Sequence, residues 1–446
     1  MKVSTKKILF NAAIIGFAFA AVSCSDDEDG PTLSDGQVAE TVDIDENTVD
    51  LEGPMRGTLL SGQTYFLKGD LVIPANEEII VEPGVTIIAE GDGGDIGPEI
   101  TVHGAFIAEG TQSQPILMSV PEAMRTEANI FEGLWGGIQC SDQAKAVLLR
   151  WVRMEYLGSE GGPGTPRAGS IRYGLWTLSD QTEVVVEDCY IYGVRDDFYR
   201  PVGGKLNIMR NVFEFVGFDG GDVINIKGGT VGNIAYNVCI GSATNAFKPS
   251  DDGGSTVQTN MGVYNNTILN SGFRRAGLGR GANINFENGA RGFAHNNIIV
   301  NCKRGIRMVE DADLQNINYD WNWYYGTHQE IVNEFIPSDG VSTMEDQLNT
   351  VMGGPGDNNP MFEDYDVDAF SMADYDSFEN QPRAMNTMEN HNLRLMSGSP
   401  ALGAGFDNFS PVTVDFSYLS GNRAPDIMQP STDMGAYPAD DSGNKY

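Results

Sequence analysis

Cations are scarce in this sequence, 28 Lys and Arg against 62 Asp and Glu, so the few that gather in its middle are weighed first for chemistry. Lys227 stands in INIKGG and Lys248 in NAFKPSDD; Arg200 lies before them, and Arg274 and Arg275 follow. Asp219, Asp222, Asp251 and Asp252 occupy the connecting segments. These residue types fit β-elimination on an acidic polysaccharide. That reaction needs a base for the proton beside a uronate carboxylate, and cations for the charge that develops. Lys227 or Lys248 would be the base if its pKa were depressed, and Arg200, Arg274 or Arg275 would neutralise the carboxylate. The four aspartates would gather Ca2+, which takes several oxygen ligands. Surface salt links and loop anchoring are the plainer assignment for both lysines.

Hydrolysis would instead need a carboxylic acid and a second carboxylate across the glycosidic bond. The neighbours Asp196-Asp197 and Asp251-Asp252 supply such groups, although adjacency does not set their separation. Trp321, Trp323, Tyr324 and Tyr325 form a dense aromatic cluster that serves either as a sugar-stacking platform or as cover for the open end of a repeat stack. Cover is the preferred assignment. No zinc-protease HExxH, nucleophile elbow, phosphate loop or dinucleotide fingerprint occurs.

The elements that must position these residues are short and repeated. NIMRNVFEFVG, NIAYNVCIGS, GVYNNTILNSG and GFAHNNIIVNC carry Asn211, Asn237, Asn266 and Asn297 at one shared place, with steps of 26, 29 and 31 residues. Self-similarity at that period predicts stacked units rather than one globular core. Apolar runs of Val, Ile and Phe that stop at Gly, Asn or Asp predict strands, and no unit has room for a long helix beside them. The expectation is an all-β chain: a single-stranded parallel β-helix solenoid with an irregular C-terminal extension, in which a short helix falls around residues 342–349. The repeated Asn is read as an architectural ladder, its amide tolerating a tight corner and bonding to the next coil. Asp188 is expected to begin that ladder.

A formal charge of -34 argues against nucleic acid and anionic membrane surfaces as partners. Lys2, Lys6 and Lys7 precede an apolar run from Ile8 to Val22 that meets Ser23-Cys24, a targeting pattern rather than part of the fold. Cys140, Cys189, Cys239 and Cys302 are widely spaced, which reads as core packing and not as a disulfide framework or zinc site.

Ala21-Val22-Ser23-Cys24 resembles the lipobox of bacterial lipoproteins, and Ser25, Asp26, Asp27, Glu28 and Asp29 resemble the acidic surface-export signal of Bacteroidetes lipoproteins. The resemblance implies lipidation at Cys24 and a place on the outer membrane facing the exterior, with a periplasm-facing anchor as the alternative. Val81-Glu82-Pro83-Gly84-Val85-Thr86-Ile87-Ile88, Gly104 to Thr111, Gln114-Pro115-Ile116 and Trp135-Gly136-Gly137-Ile138 look like the opening coils of bacterial right-handed β-helix repeat proteins on the pectate-lyase-like scaffold. Asp357-Asn358-Asn359-Pro360-Met361-Phe362, Asn392-Leu393-Arg394-Leu395, Ser399 to Gly405 and Asp433-Met434-Gly435-Ala436-Tyr437 look like closing passages of the same group, interrupted by an acidic insertion at 364–380. No complete lyase motif aligns, and the Gly-His-Gly triplet of polygalacturonase-like helices does not occur.

The expected organisation is a signal at 1–23, an acidic tether at 24–56, the β-helix at 57–325 and a closing region at 326–446 packed on the helix. The expected function is a surface lipoprotein that binds or helps process extracellular polysaccharide without catalysis. A Ca2+-assisted lyase is the second reading, and a structural or adhesive protein with surface protein partners the third.

Overall fold

Short apolar strands with turns at fixed intervals bury their inner side chains only by stacking on the coils before and after, and the chain does this throughout. The computed structural model describes residues 40–91, 95–165, 167–252, 254–275, 280–375 and 388–446. The signal at 1–23, Cys24 and the stretch Ser25, Asp26, Asp27, Glu28 and Asp29 lie outside the described residues, as does the 376–380 end of the acidic insertion.

The architecture is a right-handed parallel β-helix with three faces. Each full coil supplies a strand to each of three parallel stacks. The first sheet runs from Glu78–Val81 through Ala146–Arg150, Glu183–Glu187, Gly204–Met209 and Thr230–Ala235 to Arg291–His295. The second runs from Thr86–Ala89 through Val152–Leu157, Tyr190–Val194 and Val212–Val216 to Trp323–Tyr325. The third runs from Ile100–Val102 through Leu175–Thr177, Tyr199–Pro201, Ile224–Asn225 and Phe247–Lys248 to Arg304–Met308. Strand alternation sends every second side chain inward, so Val184, Val186, Ile191, Phe213, Ile224, Phe247 and Ile284 join one continuous core. Strands already form at Val42–Asp43 and Asp50–Leu59, ahead of the expected boundary at 57, and the latter pairs onward to Glu78–Val81.

The corner between the first and second sheets is built on one amide per coil. Asn211 Nδ2 donates to Asn237 Oδ1 at 2.9 Å, Asn237 to Asn266 at 3.0 Å, Asn266 to Asn297 at 2.9 Å, and Asn297 to Asn322 at 2.9 Å. Each Oδ1 also accepts the backbone N–H of the preceding rung. Asp188 is not a rung: the ladder position in its coil belongs to Cys189, whose N–H donates to Asn211 Oδ1 at 2.9 Å. Asp188 sits one residue earlier and pairs with Arg210 at 2.8 Å. The tight backbone is also one residue earlier than expected. Asp188, Arg210, Tyr236, Asn265, Asn296 and Trp321 adopt positive φ, while the rung residue after each, Cys189 or a ladder Asn, does not. The left-handed bend therefore falls on residues of any type, and the amide is required for bonding alone.

The closing region wraps the helix. Val412 N–H donates to Asn233, the Ser417, Tyr418 and Leu419 N–H groups converge on Glu183, and Arg423 reaches Glu78 near the first coils. The chain then returns: Met428 and Gln429 carbonyls accept from Tyr264 and Tyr236, and the Ala436 N–H donates to Thr267. Phe416 and Leu419 cover Ala105, Ala146 and Val185, and Phe409, Ile427 and Met428 cover Met209, Tyr236 and Tyr264. Phe362, Leu393, Ala401, Met434 and Tyr437 close over Val212, Val238, Leu269, Ile298 and Trp323 of the second sheet. The helix expected at 342–349 is a single 3-10 turn, Glu345–Gln347. All four described cysteines are buried and free, with their thiols pushed up by burial.

Candidate functional site

Two faces of the helix are dressed by the closing region, and the third carries a polar file. Register along the third sheet places Trp176 beside Arg200, Arg200 beside Asn225, Asn225 beside Lys248, Lys248 beside Asn285, and Asn285 beside Arg307. Their strand neighbours Tyr199, Ile224, Phe247 and Ile284 point into the core, so alternation turns the whole file outward. At about 4.8 Å per coil the file is about 24 Å long. Among the described residues, no hydrogen bond from residues 388–446 reaches it.

Each cation in the file has an acid beside it. Arg200 Nη1 meets Asp197 at 3.1 Å, Lys248 Nζ meets Glu287 at 2.9 Å, and Arg307 Nε meets Asp339 at 3.2 Å. The amides link these pairs: Asn225 donates to Asp197 at 2.8 Å, Asn285 donates to Glu287 at 2.8 Å, and Arg307 donates to Asn285 Oδ1 at 3.0 Å. The cationic side chains keep 11–13% exposure, while Trp176, Asn225 and Asn285 beside them are buried. At the Trp176 end, Arg200 and Arg167 both lie over the Tyr173 ring, 4.8 Å from its centre. Asn225 Oδ1, and Gln139 Oε1 further along the same register, are buried and have no hydrogen-bond partner among the described residues. Such orphan acceptors are usually satisfied by an ordered water.

The electrostatics run against a lysine base. Burial disfavours the Lys248 ammonium, but Glu287, Asp222 and Asp197 outweigh it and hold the group above the ordinary lysine value. A general base needs the opposite shift. Lys227 follows the strand Ile224–Asn225 and lies close enough to Asp252 to act on its carboxyl.

The proposed calcium ligands do not form one site. Asp222 Oδ1 accepts the Asn245 N–H at 2.9 Å, its Nδ2 at 2.8 Å and the Thr244 hydroxyl. Asp197 Oδ1 accepts the Asp222 N–H at 2.7 Å, so Asp197, Asp222 and Asn245 make a second, shorter ladder at the corner entering the third sheet. Asp251 is committed to the Gly229 and Thr259 N–H groups and the Thr259 hydroxyl, and Asp219 is exposed on its loop. No group of three or more His, Cys, Asp and Glu among the described residues is arranged to hold a metal ion. Asp196 and Asp197 are both pushed up, by burial first and a neighbouring carboxylate second.

Arg274 belongs to a different part of the molecule. Its guanidinium caps the carbonyls of Val216, Gly217 and Gly241 and lies 5.0 Å over Phe131. Arg275 lies beside Gly220, and its carbonyl accepts from Lys303 at 2.7 Å. Trp323, Tyr324 and Tyr325 are buried, and Trp321 stacks on Phe406 at 5.4 Å. Burial takes Trp323, Tyr324 and Tyr325 out of reach of a sugar ring. Trp176 and Arg307 were not among the residues singled out from sequence. Counting along each coil from its ladder rung would not reach them either, because the loop leading into the third sheet varies from coil to coil.

Compared with protein-family models, curated proteins and solved structures, the chain finds no match in any of the three.

Proposed function

We propose that the protein binds an extracellular polysaccharide laid along the outer face of the third sheet, as a recognition protein and not as an enzyme. The observation that carries this reading is the in-register file from Trp176 to Arg307, in which cations and amides alternate at coil spacing from Arg200 onward. Paired charges and amides suit hydroxyl groups, which both donate and accept, better than they suit a single point charge. The fold resembles pectate-lyase-like β-helix scaffolds, and fold likeness by itself carries no activity. The Ca2+-assisted lyase has less support, because Lys248 is held as an ammonium and the aspartates serve the backbone.

The test is retention of the chain on immobilised uronate-containing and neutral glycans, with and without chelator, while ultraviolet absorbance reports any unsaturated product. Retention without new absorbance is the expected result. Calcium-dependent absorbance would install the lyase reading, and no retention on any glycan would leave a structural or adhesive role.

The anchoring reading goes with it: Cys24 carries the lipid and the chain faces the cell exterior. A palmitate analogue should label the protein and fail to label Cys24→Ser. Protease added to intact cells should remove it, whereas survival would place it on the periplasmic side.

A further inference from the structure

The ladder rung is a ruler for the second sheet, because the residues one and three places after it point outward. The first file reads Arg153, Tyr190, Val212, Val238, Thr267, Ile298 and Trp323 along successive coils. The second reads Glu155, Tyr192, Glu214, Ile240, Leu269, Val300 and Tyr325. Both files change from polar to apolar near Val212 and Ile240, where Phe362, Met388, Leu393 and Tyr437 cover the sheet. On the earlier coils a cleft of about 380 Å³ stays open. That is near the lower end of small-ligand sites, roughly 300–1,000 Å³, and limits the occupant to a small molecule or a single terminal residue of a longer one.

The walls of the cleft define that occupant. Tyr156 is buried and meets Tyr192 nearly at right angles, 77° with ring centres 5.9 Å apart, which braces the half-buried Tyr192 as the aromatic surface of the cleft. The apolar face of a sugar ring packs on such a surface while its hydroxyls reach the rim. Burial first, and then Glu155, push the Tyr156 phenol up to about 12, so its hydroxyl stays a neutral donor. Arg153 is already committed: it pairs with Glu155, with Glu389 at 2.8 Å, and lies 4.5 Å over Tyr190. Arg125 is different. Its Nε donates to the Val120 carbonyl at 2.8 Å, which fixes the stem, and no other hydrogen bond or ion pair to it occurs among the described residues. Arg125 lines the cleft, and its guanidinium has the planar edge that takes a carboxylate in two parallel bonds. The cleft's two arginines balance its two glutamates, in a chain whose formal charge is -34.

We propose that this cleft binds one carboxylated sugar residue, with the ring against Tyr192 and the carboxylate on Arg125. The site lies on another sheet from the file that holds Lys248, and it does not rest on the reading of that file.

The experiment titrates the full chain with galacturonate, glucuronate and mannuronate as free monosaccharides, and with galactose as the neutral comparison, by ligand-observed NMR. At least one uronate should bind saturably and at least about tenfold more tightly than galactose. Arg125→Gln should remove that preference, and Tyr192→Ala should abolish binding, each with an unchanged circular dichroism spectrum. Asn260→Ala, on the outer face of the first sheet and outside both binding surfaces, should leave uronate binding as it was. No saturable binding by any of the three uronates, equal binding of galactose, or an unchanged preference in Arg125→Gln would overturn the proposal.

Discussion

Replacing Asn237 by Ala removes one rung from the middle of the amide ladder, and the structure fixes what is lost. Asn237 Oδ1 accepts the Asn211 N–H and Nδ2 at 2.9 Å each, and its Nδ2 donates to the Ile208 carbonyl and to Asn266 Oδ1 at 3.0 Å each. Asn211 Nδ2 keeps its bond to the Val186 carbonyl and Asn266 Oδ1 keeps the Asn237 N–H, but the Asn211 N–H loses this buried partner. An orphaned buried donor costs about 1–3 kcal/mol, and the three other lost bonds about 0.5–1.5 kcal/mol each, so the expected loss is about 2.5–7.5 kcal/mol. Asn260 lies on the outer face of the first sheet with no side-chain hydrogen bond among the described residues, so Asn260→Ala should stay within about 0.5 kcal/mol. The assay is guanidinium unfolding followed by tryptophan fluorescence, compared as midpoints because repeat stacks need not unfold in one step. A midpoint for Asn237→Ala equal to that of Asn260→Ala would refute the ladder as a source of stability.

Three other outcomes follow from buried groups. Burial pushes the Glu214 carboxyl up to about 8, against the Tyr190 hydroxyl and Met388 N–H that donate to it. Its contribution is therefore fully present below pH about 4.5 and is lost as pH rises through 8. Glu214→Gln should abolish that part of the loss, so its unfolding midpoint should gain on the parent between pH 5 and 9; parallel pH curves would contradict this. For Glu183, burial is outweighed by the Leu419, Ser417 and Tyr418 N–H groups, which hold the carboxyl below its ordinary value. That stability is present above pH about 4.5 and lost as pH falls further, so acid or Glu183→Gln should open the 412–426 segment to limited proteolysis. Cys140, Cys189, Cys239 and Cys302 should resist a thiol reagent in the native state and react on unfolding, and a fast native reaction at any of them would contradict their burial.

The sequence exposes those parts of the fold in which a particular side chain is needed at every coil. The ladder is visible because only a short amide donates and accepts along the stack at Asn211, Asn237, Asn266 and Asn297. The bend before each rung is invisible because it is a backbone property, met by Arg210, Tyr236 and Trp321 alike. Asp188 was misplaced for that reason: it borders the corner and pairs with Arg210, while Cys189 receives the ladder bond. Arg200 and Lys248 stood out as rare cations, but their partners Asn225, Asn285 and Glu287 are common residue types whose alignment depends on loop lengths. Asp222 and Asp251 looked like ion ligands because backbone N–H groups that claim a carboxylate leave no mark in sequence. The wrap of residues 406–437 forms no regular sheet and bonds to side chains more than a hundred residues away, so periodicity could not reveal it.

The most direct measurement compares glycan retention by the parent chain with that of Arg200→Met and Lys248→Met, singly and together, after matched unfolding midpoints have shown that all four fold. If the polysaccharide lies along the third sheet, each substitution weakens retention about tenfold and the pair weakens it further. Retention unchanged in the double variant would contradict the account and move the binding surface to another face of the helix.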